Sequence, residues 1–119
     1  MEENAKIFTS EESLEKQTKI LSDLRDRYQN VTISDKGKVF NTELLEAIEL
    51  EYLLDMSDTT VASALHRKES RGAHSRVDHV ERDDKNWLKH SFAFKNGDSV
   101  KLEYKDVELG NYEPKERKY

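Results

Sequence analysis

Apolar residues in the first quarter of the chain recur at the spacing of an amphipathic helix. The positions that follow this spacing are Leu14, Leu21, Leu24 and Tyr28, and Ile20 lies beside them. They predict a helix over residues 9–30, because a period near 3.6 places them on one face. Thr9 and Glu12 form a capping-box pattern at its start, and Asn30 can end it.

A second apolar set predicts another helix, which begins near Asn41. Its members are Leu44, Leu45, Ile48, Tyr52 and Leu54. Asn41 is a favourable N-cap residue, and Phe40 before it is expected to pack on Leu45 as a hydrophobic staple.

The helical pattern shifts at residues 55–58, where Ser57 or Asp58 can cap a third helix. The apolar and small residues of that helix are Val61, Ala62, Ala64 and Leu65. We expect it to end at Gly72 in a left-handed C′ position. Together the helices predict an antiparallel three-helix bundle over residues 1–72, with a core of Leu14, Leu21, Leu24, Leu44, Ile48, Val61 and Leu65.

After a polar stretch without a period, residues 73–86, the pattern changes to the alternation of a β-strand. Leu88, His90, Phe92 and Phe94 form one alternating set, and Val100, Leu102 and Tyr104 form another. Asn96-Gly97 between them predicts a hairpin.

Keeping the apolar residues of the hairpin on one face favours an odd-length loop, which pairs Phe94 with Val100 and Phe92 with Leu102. Val107 and Leu109 can add a short third strand. The predicted fold class is therefore α+β: the helical bundle (1–72), a long polar loop (73–86), and a small antiparallel sheet with a tail (87–119).

Composition narrows the classes of function. The 119 residues suffice for one small domain, with 34% hydrophobic and 38% charged residues. A net charge of −5 without a basic stripe argues against nucleic acid or an anionic membrane as partners. Cysteine is absent, so this sequence offers no disulfide and no cysteine ligand for an iron–sulfur cluster. No apolar run approaches the roughly 20 residues of a membrane span.

The chemistry-bearing residues do not form a recognisable catalytic or cofactor motif. None of the four glycines, Gly37, Gly72, Gly97 and Gly110, belongs to a Gly-x-Gly-x-x-Gly fingerprint. Potential metal ligands are His66, His74, Asp78, His79 and Asp83, but their spacing fits no compact metal motif. A Ser70/His74 pair lacks an orienting acid. We therefore assign no catalytic, cofactor-binding or metal-ligating residue.

The densest polar run lies between the helices and the sheet. Arg71 and His74 can cap the end of a helix, which is the local interpretation. The alternative is a docking surface, because the run has more hydrogen-bonding groups than its own loop can use. The candidate docking residues are Glu69, Arg71, His74, Arg76, Asp78, Arg82, Asp83 and Asp84.

This run also carries a family resemblance. Arg67-Lys-Glu-Ser-Arg-Gly-Ala-His74, Arg82-Asp-Asp84 and Trp87-Leu-Lys-His90 resemble the C-terminal region of the flavoprotein subunit of succinate dehydrogenases and fumarate reductases. Phe40-Asn-Thr-Glu-Leu-Leu45 and the segment from Leu102 to Tyr119 are similar to the same family. The resemblance implies a parent enzyme that interconverts succinate and fumarate at FAD and passes electrons to an iron–sulfur subunit. It also implies that the flavin, the dicarboxylate pocket and the catalytic arginine belong to upstream domains.

From the resemblance we expect a C-terminal structural domain that binds no cofactor itself and is no enzyme in isolation. Its expected partner is the flavin-binding domain of the same subunit, and indirectly an iron–sulfur subunit, without nucleic acid or direct membrane insertion. The expected location is cytoplasmic, with the parent complex at the inner face of the membrane. Two alternatives stay open: a stand-alone interaction module that starts at Met1, and the equivalent domain of a related flavoprotein such as L-aspartate oxidase.

Overall fold

The computed structural model describes residues 1–97 and 99–115. Its elements follow the order β1 (Phe8–Thr9), α1 (Glu11–Tyr28), α2 (Thr42–His66), β2 (Ser75–Arg76), α3 (Asp84–Trp87), β3 (Lys89–Asn96) and β4 (Ser99–Asp106). The parallel pair β1–β2 and the antiparallel hairpin β3–β4 form two separate sheets. The predicted α+β class is confirmed, while several elements differ from the expected ones.

Helix α1 begins one residue later than the capping pattern predicted. Ser10 is the N-cap, and its side chain and that of Ser13 form a reciprocal capping box. Thr9 is instead part of β1, where its hydroxyl donates to the Ser75 carbonyl at 3.2 Å. The Thr9/Glu12 box is therefore wrong, because a long-range strand pairing holds Thr9 in place.

Helix α2 begins as predicted but does not break. The side chain of Asn41 caps it by accepting a bond from the Leu44 N–H at 2.8 Å. The predicted break at residues 55–58 is wrong, because Asp55 and Asp58 bind Arg25 of α1 and cap no new helix. Those ion pairs fasten the two long helices side by side, in antiparallel directions.

The core between α1 and α2 is small. Its buried apolar residues are Leu14, Leu21, Leu54 and Val61, with Leu24, Tyr28, Ala64 and Leu65 partly buried around them. Leu44 and Ile48 were also expected in this core, but 45% and 42% of their surfaces are exposed. The bundle therefore covers only one side of α2.

The hairpin adopts a different register from the predicted one. Asn96 pairs with Ser99 across a two-residue connection, so Phe92 lies opposite Glu103 and Phe94 opposite Lys101. This register places Val100 and Lys95 on the face that meets α2, where Lys95 binds Asp55 at 2.7 Å. The expected pairs Phe94–Val100 and Phe92–Leu102 are therefore wrong.

Two further expectations about the C-terminal part also need correction. Residues 107–109 form no third strand, and the Val107 N–H makes one backbone bond to Leu88 O at 3.4 Å. Residues 73–86 were expected to form one long loop, but they include β2 and the start of α3. The tail beyond residue 115 lies outside the described residues.

The chain is more extended than a free-standing domain of its size. Its radius of gyration is 18.2 Å, and its extents are 58 × 32 × 30 Å. A compact domain of this length has a radius near 13.5 Å (about 2.2·N^0.38). Its accessible surface is 9508 Å², whereas a folded monomer of this mass exposes roughly 6,700 Å². Much of its surface is thus uncovered for a domain that folds around its own core.

Candidate docking site

The polar segment, residues 67–84, starts where α2 ends. The helix ends at His66 with Arg67 as C-cap, so the predicted C-cap at Gly72 is wrong. Gly72 instead lies in a tight turn, in which Arg71 and His74 exchange backbone hydrogen bonds of 2.8 and 3.0 Å. Its φ of 59° agrees with the expected positive value, since the first central residue of such a turn favours glycine.

Glu69 lies fully buried at the centre of the polar segment. Its carboxylate accepts hydrogen bonds from Arg67 at 2.6 Å, from Arg71 at 2.8 and 2.9 Å, and from the Asp83 N–H at 2.9 Å. Burial alone raises the pKa of Glu69, but the bonds from Arg71, Asp83 and Arg67 outweigh it and hold the pKa below its ordinary value. Glu69 is therefore ionised and joins two arginines to the start of α3.

Arg67 was not among the candidate docking residues, yet it connects three parts of the fold. Besides Glu69, its guanidinium donates to the carbonyls of Trp87 at 2.9 Å and Lys89 at 2.8 Å, and to the Ser91 hydroxyl at 2.9 Å. The guanidinium carbon also lies 5.3 Å from the centre of the Trp87 ring, within cation–π range. Arg67 thus fastens the hairpin to the end of α2.

A second cluster forms around Arg76, which is also fully buried. Its guanidinium binds the Asp78 carboxylate in a bidentate pair of 2.7 Å bonds and donates to Ala64 O and Leu65 O at 3.1 and 3.2 Å. Asp78 in turn accepts from the Glu11 N–H at 2.7 Å. A cation thus lies at the C-terminus of α2 and a carboxylate at the N-terminus of α1, as both helix dipoles favour.

The pKa of Asp78 lies well below its ordinary value. The hydrogen bonds from Arg76 are the main cause, and the Glu11 N–H adds to them. Arg76 and Asp78 therefore form an ion pair at neutral pH that links β2, α1 and α2.

The remaining candidate docking residues lie nearer the surface. Arg71 and Arg82 both bind Asp84 at 2.7 Å, and the three side chains are 27–33% exposed. Asp83 caps α3 through the Asn86 N–H at 3.0 Å, and the ring of His74 lies 3.2 Å from the Arg67 carbonyl.

The buried polar groups of the polar segment form hydrogen bonds within the chain. Within residues 1–97 and 99–115, every buried side-chain nitrogen and oxygen has a partner. Seven of the eight candidate docking residues belong to two clusters. The Glu69 cluster consists of Glu69, Arg71, Arg82, Asp83 and Asp84, and the Arg76 cluster of Arg76 and Asp78, whereas His74 contacts the Arg67 carbonyl. Glu69 and Arg76 are too deeply buried to reach another surface. A docking role for the exposed edges of Arg71, His74, Arg82, Asp83 and Asp84 stays a prediction.

The alternative chemistries gain no support from this geometry. Glu11, Asp78 and His79 bring their ligand atoms within 4.8 Å of one another, but Arg76 already supplies the positive charge that Asp78 binds. His66 and His74 lie against backbone carbonyls instead. The Ser70 hydroxyl binds Arg76 and His79 backbone groups rather than His74.

A different surface is left open on the first half of α2. The outer face of α2, which we define as Leu45, Ile48, Tyr52 and Met56, is spaced at three, four and four residues and 42–65% exposed. Leu54 points in the opposite direction, about 180° around the helix from Leu45, and is buried in the core. This half of α2 is therefore apolar on two opposite sides, which is typical of a helix that is buried on both.

The hairpin repeats this two-sided pattern. Phe92 and Phe94 lie on the face turned away from α2 and are 44% and 48% exposed. On the opposite face, Tyr104 packs edge-on against Trp87 with 5.6 Å between ring centres.

Known proteins of one family are similar to the chain over its whole length. A family model described as "Fumarate reductase flavoprotein C-term" matches residues 1–119. The chain belongs to this family. The fumarate reductase flavoprotein subunit of Haemophilus influenzae is 42% identical over the whole chain, and the mitochondrial succinate dehydrogenase flavoprotein subunit of Oryza sativa is 40% identical. A solved Escherichia coli quinol fumarate reductase superposes on 98% of the chain with a TM-score of 0.94 and 43% identity.

The chain spans about one fifth of each relative's length, 20% in all three cases. It corresponds to the C-terminal domain of these flavoprotein subunits. Among the described residues, no helix is both long and apolar enough to cross a membrane.

Proposed function

We propose that this chain is the C-terminal structural domain of a succinate- or fumarate-converting flavoprotein subunit and docks onto its flavin-binding part. FAD, the dicarboxylate and the catalytic groups lie in that upstream part, and the present chain supplies none of them. In the assembled enzyme, electrons pass between the flavin and an iron–sulfur subunit. The complex lies at the inner face of the membrane, without membrane insertion by this domain.

The observation that carries the proposal is the match to a C-terminal family together with a surface too large for an independent domain. Among the described residues, the four buried apolar residues of the core are few for a chain of 119 residues. A stand-alone interaction module would be expected to cover more of its own apolar surface. A C-terminal domain completes its burial against the four fifths of the subunit that its relatives also contain.

Within this function, the polar segment has two roles. Its buried clusters fix the positions of α1, α2, α3 and the hairpin relative to one another. Its exposed edge, formed by Arg71, His74, Arg82, Asp83 and Asp84, extends towards the flavin-binding part and contributes polar contacts at the rim of the interface. Arginine with paired carboxylates suits such a rim, because it adds specificity rather than buried area.

A chimeric enzyme tests the proposal. The C-terminal fifth of the E. coli fumarate reductase flavoprotein subunit, 43% identical to this chain, is replaced by residues 1–119 and the complex is purified. We expect the chimera to retain flavin and to reduce fumarate, whereas the subunit truncated before this region does neither. A chimera that behaves like the truncated subunit would contradict the proposed function. The isolated chain should show no saturable FAD binding by flavin fluorescence.

The polar rim has a separate test. Arg71→Ala should reduce the thermal stability of the chimera more than that of the isolated chain, since only the chimera contains the partner surface. Equal losses in both would restrict Arg71 to its bonds with Glu69 and Asp84.

A further inference from the structure

Neither the polar clusters nor the core explains the apolar side chains on the outer face of α2. Its four side chains form an apolar stripe three turns long, with anchors at i, i+3, i+7 and i+11. This is the spacing by which a helix lies in an apolar groove of a partner. Leu53 beside the stripe is 62% exposed as well.

Negative charge around the outer face restricts the kind of partner surface that can cover it. From Thr42 to Leu65, α2 contains six acidic residues and neither lysine nor arginine. Asp55 and Asp58 are neutralised by Arg25 within the chain, but Glu46, Glu49 and Glu51 are exposed and border the stripe. A second copy of this chain would bring like charges together, and an anionic membrane would repel them. The fitting partner is an apolar groove bordered by lysine or arginine.

Phe40 adds an anchor immediately before the helix. Its side chain is 95% exposed and its φ is 52°, a left-handed conformation that is unfavourable for a bulky residue. Glu43 holds the preceding segment by accepting the N–H groups of Ser34 at 2.9 Å and Asp35 at 2.7 Å. The pKa of Glu43 is lowered by these two bonds, so they persist at neutral pH.

An exposed aromatic ring on a backbone fixed in an unfavourable conformation resembles the preorganised anchors of protein interfaces. At this exposure Phe40 does not pack on Leu45, so the predicted hydrophobic staple is wrong.

From these observations we infer that Phe40 and the outer face of α2 form the principal interface with the upstream part of the flavoprotein subunit. They insert there into an apolar groove with a basic rim. This inference rests on the proposed function and names the surface that performs it. It assigns the main contact to an apolar helix face rather than to the polar segment.

The experiment compares two matched double variants in the chimera described above. Ile48→Ser with Tyr52→Ser alters the outer face, while Ile20→Ser with Tyr112→Ser removes an exposed isoleucine and tyrosine elsewhere. We expect the outer-face variant to lose most of its fumarate-reducing activity and its resistance to trypsin, and the control to keep both. In the isolated 119-residue chain, both variants should melt at the temperature of the unaltered chain, which excludes a folding defect.

Two single substitutions test whether the proposed groove is apolar and has a basic rim. Phe40→Ala should lower the melting temperature of the chimera but not of the isolated chain. Glu49→Lys should do the same, with a larger shift at low salt, because it places a cation against the proposed basic rim.

The possible outcomes separate the inference from the proposed function. An unaltered chimera that fails to assemble contradicts both. An active chimera in which the outer-face and control variants behave alike overturns the inference alone. Light scattering on the isolated chain covers the remaining alternative: a dimer abolished by Ile48→Ser with Tyr52→Ser, with an unaffected chimera, would assign the face to a second copy and overturn the inference.

Discussion

The two ends of α2 differ in how completely the chain covers their side chains. At its C-terminal end, the helix meets the polar segment, where buried Glu69 and Arg76 have all their hydrogen bonds within the chain. At its N-terminal half, Leu45, Tyr52 and neighbouring apolar side chains are exposed on one side while Leu54 fills the core on the other. One end is complete inside the 119 residues, and the other leaves apolar side chains exposed, which we propose a partner covers.

The comparison teaches that a dense polar run does not by itself mark a docking surface. Charged groups that are buried must find partners nearby, because an unpaired buried charge is very costly. Exposed apolar side chains need no hydrogen-bonding partner, so they can stay exposed in the isolated chain until another surface covers them. We therefore expect exposed apolar surface, rather than a high density of charge, to indicate where this domain meets another surface.

The largest expected effect lies at the completed end. Arg76→Met removes the bidentate partner of Asp78 and the donor to the last carbonyls of α2. Breaking a buried pair in this way costs about 3–5 kcal/mol. Arg82→Met is the matched control, because its guanidinium is partly exposed and binds Asp84 at the surface, where a pair is worth about 0–1 kcal/mol. Urea unfolding of both variants of the chain measures the difference, and equal losses would contradict the assignment of Arg76.

Two adjacent leucines of α2 sharpen the contrast between its two sides. Leu54→Ala should destabilise the isolated chain by about 2–5 kcal/mol, since Leu54 is buried in the core. Leu53→Ala should stay within about 0.5 kcal/mol, because Leu53 is 62% exposed. Chemical denaturation reports both values. A loss at Leu53 as large as at Leu54 would mean that the outer side of α2 is covered within the chain.

Acid should reduce the stability contributed by the polar clusters at the C-terminal end of α2. The folded-state pKa of Asp78 and of Glu69 lies below the ordinary value, so near pH 3 to 4 the unfolded chain binds more protons. Their stabilisation is present above roughly pH 4.3, where both are ionised even when unfolded, and is lost as the pH falls below about 4. Melting temperatures from pH 7 to pH 3 measure this. Asp78→Asn should melt lower at pH 7 and lose less between pH 5 and pH 3; an unchanged slope would exclude Asp78 as a source of acid sensitivity.

The smallest effect is expected at the turn that orders the polar segment. An added Cβ at Gly72 meets no atom within 4 Å, yet its φ is 59°. Gly72→Ala should therefore cost about 1 kcal/mol through the backbone alone. A Tm unchanged by Gly72→Ala would show that the turn tolerates an L side chain.

Local signals in the sequence predicted α1, the start of α2 and the presence of the hairpin. The N-cap at Asn41 and the positive φ of Gly72 follow from side-chain hydrogen bonding and from the absence of a Cβ. Other predictions from local signals were wrong because long-range contacts hold the same residues. Thr9 was drawn into a strand with Arg76, and Asp58 was occupied by Arg25, so neither caps a helix.

The predicted hairpin register was wrong for a reason that also applies to the outer face of α2. The prediction placed Phe92, Phe94, Val100 and Leu102 on one face, on the assumption that this chain alone buries them. In the structure they are divided between two faces, of which α2 covers one. Likewise, Leu44 and Ile48 were assigned to the core because their apolar character signals burial without saying by what. On the proposed function, the apolar pattern reflects burial in the assembled subunit as well as burial within these 119 residues.

Oxidation of Met56 tests the central claim most directly, because it needs no substitution. Met56 lies on the outer face of α2 and is 65% exposed, and exposed methionine is oxidised readily to its sulfoxide. Hydrogen peroxide is applied to the isolated chain and to the assembled chimera, and peptide mass spectrometry follows the modification at Met56. We predict rapid oxidation in the isolated chain and strong protection in the chimera. Equal oxidation rates in the two would contradict the proposal that a partner surface covers the outer face of α2.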